Sequence, residues 1–299
     1  MAKEDARRGI IGTFHKTGSV LWQRICEAAG REGVFRHWNL DLGDADPGAE
    51  VVLSLHAHRA RSLLAEAGRP VTKRDRWLIS IRDPRDLILS AAHYHGTTKE
   101  AWCHRPLAEF GGQSYQEKIN SYSNLSDRFL FEMENSAGRA IRNMTAMRRE
   151  LRDETALFVR LEDLLQDRDL ETFRASFAFL GFEAGQLADL LAIAVEASFF
   201  SDPRALKRST HARAGRVAEF QEAFDDRVLA RFHAVFPDSL SVLGYPEAGV
   251  PSRPEAPPGA GVRNWPARRP PDEFRAKIAR LEDEVQALSA RLDARQRSD

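Results

Sequence analysis

The residues best suited to chemistry lie near the start of the chain, in the segment Gly12–Trp22. A short apolar stretch, Ile10-Ile11, leads into a polar turn that contains a lysine, hydroxyl side chains and a glycine, and a helical pattern follows. Backbone N–H groups at a helix start point at an anion, glycine allows close approach, and lysine adds a point charge. The segment therefore predicts a phosphate-binding loop.

A second polar segment follows a buried-strand pattern at Trp77–Ile81 and precedes a helical pattern at Leu87–Tyr94. Pro84 is suited to the first position of this helix, because the N–H that proline lacks has no partner there. Arg82 can form a forked pair with a phosphate, and Ser90 can add a hydroxyl group. This segment therefore predicts a second phosphate contact.

The two segments resemble the donor-binding motifs of the sulfotransferases that use 3′-phosphoadenosine 5′-phosphosulfate (PAPS). Four residues match in type the loop Pro-Lys-[Ser/Thr]-Gly-[Thr/Ser]-Thr: Lys16, Thr17, Gly18 and Ser19. His15 replaces the proline, and Val20 stands where a second hydroxyl residue is common. Five residues match the strand-Arg-[Asn/Asp]-Pro-x-Asp-x-x-x-Ser motif: Arg82, Asp83, Pro84, Asp86 and Ser90. The resemblance implies that residues 15–20 bind the 5′-phosphosulfate, and that Arg82 and Ser90 bind the 3′-phosphate.

Three further segments extend this resemblance from about residue 9 to 246. His211–Phe220 is similar to the Arg-Lys-Gly-x-x-Gly-Asp-Trp loop of the family: Arg213 and Gly215 match, and Ala214 replaces the lysine. The resemblance implies that this loop also contacts the 3′-phosphate. Phe158–Leu164 resembles the family's strand that ends in Tyr-Glu-Asp-Leu, and Leu243-Gly244-Tyr245 is a common ending of its domain.

Sulfo transfer to an alcohol needs a base, and two histidines follow the apolar run at 51–55. A strand over 51–56 would open onto the site, and alternation would place His56 and His58 on one face. His58 aligns with the histidine base of the family's Lys-Thr-His-Leu-Pro segment, so it is the first choice and His56 the second. Histidine suits this role because its pKa lies near working pH. Lys16 would stabilise the charge on the leaving oxygen.

The composition fits an enzyme outside the secretory route. Lys plus Arg and Asp plus Glu both number 44, so no overall charge points to nucleic acid or an anionic membrane. No window is apolar enough to span a membrane, and the charged first residues lack a signal-peptide core. Only Cys26 and Cys103 are present, which argues against a disulfide framework. We therefore expect a cytoplasmic protein that needs no metal.

The predicted fold class is α/β, with one domain at 1–248 that has a central parallel sheet flanked by helices, like that of P-loop NTPases. The predicted strands lie near 9–13, 51–56, 77–81 and 156–160. Residues 96–150 form an insert that could act as an acceptor lid. Within this insert, the polar run Gln113–Asn124 predicts a loop, and Phe129–Leu151 predicts a helix.

Two further parts follow the domain. Residues 249–271 are rich in proline and predict a linker. Residues 272–299 predict a helix with an apolar heptad seam formed by Ile278, Leu281, Val285, Leu288 and Leu292. Such a seam favours a parallel coiled-coil homodimer. The alternative is a helix that packs back on its own domain.

The motifs favour a PAPS-dependent sulfotransferase that releases 3′-phosphoadenosine 5′-phosphate (PAP). Its acceptor would be a small molecule or a glycan, such as a glycolipid, with a hydroxyl or amine group. Two alternatives remain at this point: a P-loop phosphotransferase or nucleotide-binding module that uses ATP, and a non-catalytic domain on a coiled-coil scaffold. The 3′-phosphate contacts of Arg82 and Ser90 favour the first function.

Overall fold

The computed structural model describes residues 8–43, 45–197 and 217–249. Three residues of the predicted donor site, Arg213, Ala214 and Gly215, lie outside the described residues. The predicted coiled-coil helix at 272–299 also lies outside them, as does nearly all of the linker at 249–271.

A five-stranded sheet forms the centre of the domain, in the order β2-β3-β1-β4-β5, and every neighbouring pair is parallel. The strands are β1 (Gly9–Gly12), β2 (His37–Asn39), β3 (Val51–Ser54), β4 (Arg76–Ile81) and β5 (Ala156–Arg160). The α/β fold class with a parallel sheet flanked by helices is confirmed. The edge strand β2 is an addition, because three residues are too few to show a strand pattern.

Helices cover both faces of this sheet. The α-helices of the described residues are α1 (Ser19–Arg31), α2 (Ala60–Glu66), α3 (Pro84–His95), α4 (Tyr115–Asn120), α5 (Leu125–Glu134), α6 (Ser136–Glu150), α7 (Leu161–Leu165), α8 (Glu171–Leu180), α9 (Ala184–Ala197), α10 (Phe220–Ala223), α11 (Asp226–Val235) and α12 (Ser239–Leu243). Short 3₁₀ turns lie at Ala57–Arg59, Ala101–His104 and Ala108–Phe110.

The core consists of two apolar clusters, one on each side of the sheet. Successive strand residues point to opposite faces, so Ile10 belongs to one cluster and Ile11 to the other. The Ile11 cluster contains Trp22 of α1 and Phe177 of α8, whose rings meet edge to face. Strands β1 and β3 are buried along their whole length, as expected for a parallel sheet covered on both faces.

The segment at 96–150 differs from its prediction in two places. Helix α4 occupies much of the run predicted as a loop, because Ser114 and Glu117 form a reciprocal capping box at its start. The predicted helix at 129–151 is two helices that meet at Asn135. A Cβ on Gly138 would lie 1.8 Å from the carbonyl oxygen of Met133, so this corner requires glycine. Phe129 is fully buried in the Ile10 cluster, which makes the segment part of the domain core.

The carboxyl ends of the parallel strands all meet at one edge of the sheet. The predicted phosphate loop follows β1, and Arg82 follows β4. His56 lies two residues beyond β3, and Leu161 follows β5. Ligands of open α/β sheets bind at this edge, so the fold brings most of the predicted site residues to one place.

Candidate functional site

The loop between β1 and α1 has a backbone conformation that favours glycine at two positions. Gly18 has a φ of +96°, and a Cβ there would lie 2.9 Å from Cδ1 of Leu161. Lys16 has a positive φ of 65°, which costs a residue with a side chain roughly 1–2 kcal/mol. Strain of this kind is common at functional sites. Here the strained residue is Lys16, the lysine predicted from the sequence to bind phosphate.

Side chains around the loop hold this conformation. The Thr17 hydroxyl accepts the Phe14 N–H at 2.8 Å and donates to the Phe14 carbonyl at 3.0 Å. The Ser80 hydroxyl donates to the Thr17 carbonyl at 2.6 Å, and Arg82 donates to the Lys16 carbonyl at 3.4 Å. The Thr17 side chain therefore supports the loop, and Arg82 joins the loop to the end of β4.

The start of α1 presents hydrogen-bond donors at this loop. The N-cap residue is Gly18, and within the described part of the chain no side chain caps the helix. The first N–H groups, which include those of Ser19 and Val20, have no partner within a helix, and the positive end of the helix dipole lies there. The Ser19 hydroxyl shares a 2.8 Å hydrogen bond with Thr13. Val20 offers only its backbone, because its side chain is apolar.

Lys16 supplies the positive charge of the loop. Its Nζ atom lies 3.7 Å from the centre of the Tyr94 ring, in a cation–π contact. Burial, together with the charge of Arg82, lowers the pKa of Lys16 from 10.5 to about 8, although Glu100 acts in the opposite direction. Near neutral pH the ammonium group is therefore charged but poorly solvated. Such a group gains most from a bound anion.

His15, at the proline position of the loop motif, packs inward. Its ring is stacked on His95 with the centres 4.8 Å and the planes 7° apart. Nδ1 of the buried His95 lies 2.6 Å from Oε1 of Glu132. Burial and the charges of His95 and Lys16 hold the pKa of His15 well below 6.5, so its ring is neutral near pH 7. His15 thus supports the loop from behind, next to Lys16.

Arg82 and Ser90 lie on either side of the start of α3, and both are partly exposed. The helix begins at Pro84, as predicted, after Asp83 accepts the Arg85 N–H at 2.9 Å. Asp83 and Arg85 also form a buried ion pair at 2.8 Å. This turn is therefore rigid, and it holds Arg82 and the second turn of α3 at the same edge of the sheet.

Two carboxylates attach distant segments to this turn. Glu162 accepts the Asp83 N–H and the Tyr245 hydroxyl, both at 2.9 Å, and burial raises its pKa to about 7. Asp86 accepts the Ala218 N–H at 2.7 Å. The Glu-Asp-Leu and Leu-Gly-Tyr segments noted in the sequence therefore contact each other through Glu162. The role of Glu162 was not predicted, because its two partners lie far away in the chain.

The prediction that a strand over 51–56 places His56 and His58 on one face by alternation is wrong, whereas their role as bases stays a prediction. Strand β3 ends at Ser54, so alternation along a strand does not apply to either histidine. The strand stops because the Leu55 N–H is bound by the Asp41 carboxylate at 2.7 Å instead of by a neighbouring strand. The chain then enters the 3₁₀ turn at Ala57–Arg59, which turns the two rings edge to face.

The two histidines have different surroundings. His58 is exposed and lies parallel to the Phe14 ring, with the centres 6.3 Å apart. The side chain of His56 is 53% exposed, and its Nδ1 lies 2.8 Å from Oδ1 of Asp41. Asp41 follows β2 and was missed because that strand has no recognisable pattern. Among the described residues, His56 is the one of the two whose ring nitrogen contacts a carboxylate, that of Asp41.

An anion at this edge would meet nitrogen donors. Across the described ranges, no group of three or more His, Cys, Asp or Glu side chains is placed to hold a metal ion. Within the same ranges no helix has both the length and the apolar surface that crossing a membrane requires. Lys16 lies in the loop and Arg82 contacts it, and these two charged donors suit a phosphate or sulfate group.

Comparison with known proteins identifies a related fold. The structure is similar to that of the mouse sulfotransferase SULT7A1 complexed with PAP, with a TM-score of 0.54 and 16% sequence identity. The match covers 79% of this chain and 85% of that chain. No family model matches the sequence, and no curated protein matches it. At this identity the likeness shows the fold: the chain has the α/β fold of a sulfotransferase.

Proposed function

We propose that the protein transfers the sulfo group of PAPS to a hydroxyl or amine acceptor and releases PAP. The observation that carries this proposal is the loop after β1, where the poorly solvated Lys16 lies beside an uncapped helix start. Arg82 contacts the same loop from the end of β4. The fold is that of a sulfotransferase whose structure contains PAP, which further supports the proposal.

Each part of the donor has a proposed set of contacts. Lys16 and the N–H groups of residues 18–20 bind the 5′-phosphosulfate, because they combine a positive charge with a helix start. Arg82 and Ser90 bind the 3′-phosphate. The proposal extends to Arg213, Ala214 and Gly215, whose sequence resembles a third donor motif. A 3′-phosphate site would distinguish PAPS from ATP.

The proposed reaction is an in-line displacement at sulfur. The acceptor oxygen forms a new O–S bond while the bond from sulfur to the bridging oxygen breaks, and the electron pair remains on PAP. A histidine that follows β3 takes the acceptor proton. Lys16 stabilises the negative charge that develops on the bridging oxygen, a contribution of roughly 3 kcal/mol in comparable sites.

The acceptor is proposed to bind beside the 96–150 segment. Trp102 of this segment is partly exposed, and its Nε1 donates to Glu100 at 2.6 Å. The other carboxylate oxygen of Glu100 accepts the Tyr94 hydroxyl at 2.7 Å, so Glu100 joins Trp102 to the Tyr94 ring that contacts Lys16. Aromatic rings with a polar rim suit a small molecule or a glycan.

We also propose that the protein is cytoplasmic. Both cysteines carry free, buried thiols, and these persist in a reducing compartment.

The proposal is tested by comparing PAP with ADP, which lacks the 3′-phosphate. Ligands that bind the native state raise the melting temperature by mass action, so PAP is expected to raise it far more than ADP. Arg82→Ala should reduce the effect of PAP to that of ADP. Arg36→Ala is the control, because Arg36 is paired with Asp46 away from the loop. Equal effects of PAP and ADP on the wild-type protein would contradict a PAPS site.

A further inference from the structure

The geometry points to Asp41 as a positioning residue that selects His56, and not His58, as the base. This inference rests on the proposed sulfo transfer, because it assigns the proton acceptor of that reaction. No motif of the sequence marks Asp41, which lies on the turn after the short edge strand β2. The fold places this turn against the end of β3.

The first observation is the hydrogen bonding of the Asp41 carboxylate. Its Oδ1 lies 2.8 Å from Nδ1 of His56, and its Oδ2 accepts the Leu55 N–H at 2.7 Å. A carboxylate only accepts hydrogen bonds, so the proton of a neutral His56 ring must sit on Nδ1. The lone pair is then on Nε2. This is the tautomer in which Nε2 can accept a proton from an alcohol.

The second observation is the difference in exposure between the two partners. The Asp41 side chain is 10% exposed, whereas that of His56 is 53% exposed. Partial burial alone would oppose ionisation, but the hydrogen bonds from His56 and Leu55 lower the pKa of Asp41. Asp41 is therefore a fixed anion near neutral pH, and the histidine ring that it orients is open to an acceptor.

The third observation is the position of this pair relative to the phosphate loop. The Ala57 N–H, next to His56 in the chain, donates to the Thr13 carbonyl at 2.8 Å. Thr13 is in turn bonded to Ser19 at the start of α1. The base and the proposed phosphosulfate site are therefore connected by two hydrogen bonds. In the reaction, the acceptor O–H gives its proton to Nε2 of His56 while the acceptor oxygen bonds to sulfur.

Two substitutions of Asp41 separate positioning from simple support of the fold. In Asp41→Asn, the amide oxygen is kept on the Leu55 N–H, because that donor otherwise loses its partner. The amide NH₂ then faces Nδ1 of His56, which forces the ring proton onto Nε2 and blocks it as a base. In Asp41→Ala, the ring is free to adopt either tautomer. We therefore expect Asp41→Asn to lose more activity than Asp41→Ala, although alanine removes more contacts.

The primary readout is the tautomer of His56, measured by nitrogen NMR of the full-length protein. We expect a proton on Nδ1 in the wild-type protein at pH 7.5 and on Nε2 in Asp41→Asn. The second readout is the release of PAP from PAPS, with a screened alcohol or water as the acceptor. We expect Asp41→Asn and His56→Ala to lower turnover by roughly 10²–10⁴, and Asp41→Ala to lower it less.

Asp46→Asn is the matched control. Asp46 accepts a backbone N–H, from Gly48, and pairs with Arg36, so it makes similar contacts away from the loop. Its substitution should leave both readouts unchanged. A wild-type His56 protonated on Nε2, or a larger loss in Asp41→Ala than in Asp41→Asn, would overturn the inference. The binding of PAP tests the proposed function separately, because none of these substitutions touches the donor contacts.

Discussion

The most direct test of the proposed site is the pH dependence of PAP binding, since Lys16 is its main charge. Burial lowers the pKa of Lys16 to about 8, whereas a bound phosphate would favour the charged form and raise this pKa again. Binding above pH 8 must therefore take up a proton. Because the protonated lysine is the binding form, the affinity for PAP should fall as the pH rises.

The size of the effect follows from the pKa. A group with a pKa of about 8 is mostly charged at pH 7 and mostly neutral at pH 9, so the dissociation constant should rise about tenfold, or by about 1.4 kcal/mol. The phosphates of PAP do not contribute, because a phosphate monoester loses its second proton at a pKa of about 6. The proton taken up at pH 9 is a second, independent measure of the same event.

The assay is isothermal titration calorimetry with PAP at pH 7 and pH 9, in two buffers that differ in ionisation enthalpy. Lys16→Arg should remove the pH dependence, because a guanidinium remains charged throughout this range. Lys118→Arg is the matched control, since Lys118 also contacts a tyrosine ring, at 5.2 Å, but lies outside the proposed site. This variant should keep the tenfold change. A wild-type affinity that stays constant from pH 7 to pH 9 would refute the assignment of Lys16.

Three further predictions concern stability and assembly. Lys16→Met should raise the melting temperature at pH 7, because the native site disfavours the ammonium by about 3 kcal/mol at 1.36 kcal/mol per pKa unit. The pKa of Lys16 in the folded protein is below its unfolded value of 10.5, so this cost begins to fall as the pH rises through 8. Calorimetry at pH 9.5 should therefore show a smaller difference in melting temperature between the variant and the wild-type protein. Gly18→Ala should lower the free energy of unfolding, measured in urea, by roughly 1–2 kcal/mol because of its positive φ. Gly33→Ala should lower it less, because Gly33 also has a positive φ but has open space where a Cβ at Gly18 would meet Leu161. Replacing Leu281 and Leu288 with Asp should convert a dimer to a monomer in light scattering, since the change buries charge in the predicted seam; a wild-type chain that is already monomeric would contradict this prediction.

The sequence predicted those strands whose residues are apolar on both faces. β1, β4 and β5 were identified because their apolar runs are continuous and end at polar turns. β2 was not, because only three residues form it and its neighbours decide its conformation. The end of β3 was placed two residues late, because the carboxylate that stops it comes from Asp41, on another strand's turn.

In the candidate site, too, the features with a local sequence pattern were predicted, and those that depend on distant contacts were not. The loop at 15–20 and the start of α3 carry local signals, in Gly18, Pro84 and the polar residues between strand and helix, so their patterns can be recognised in the sequence, although distant residues also support them. Asp41 contacts His56, which is 15 positions away in the chain. Glu132 contacts His95, 37 positions away, and Glu162 contacts Asp83, 79 positions away. Nothing in a single sequence indicates such pairs, so the groups that orient the histidines and join the segments were found only in the structure.

The hydrogen-bonded loop after β1 also has a kinetic consequence. Thr17, Ser80 and Arg82 hold the strained backbone of Lys16 through hydrogen bonds within the protein, so a nucleotide that binds as proposed would meet a surface that is already shaped. Association should then be a single step whose rate rises linearly with nucleotide concentration, with no slow rearrangement to limit it. The difference in affinity that we expect between PAP and ADP should then lie mainly in how long each nucleotide stays bound, and not in how fast it arrives.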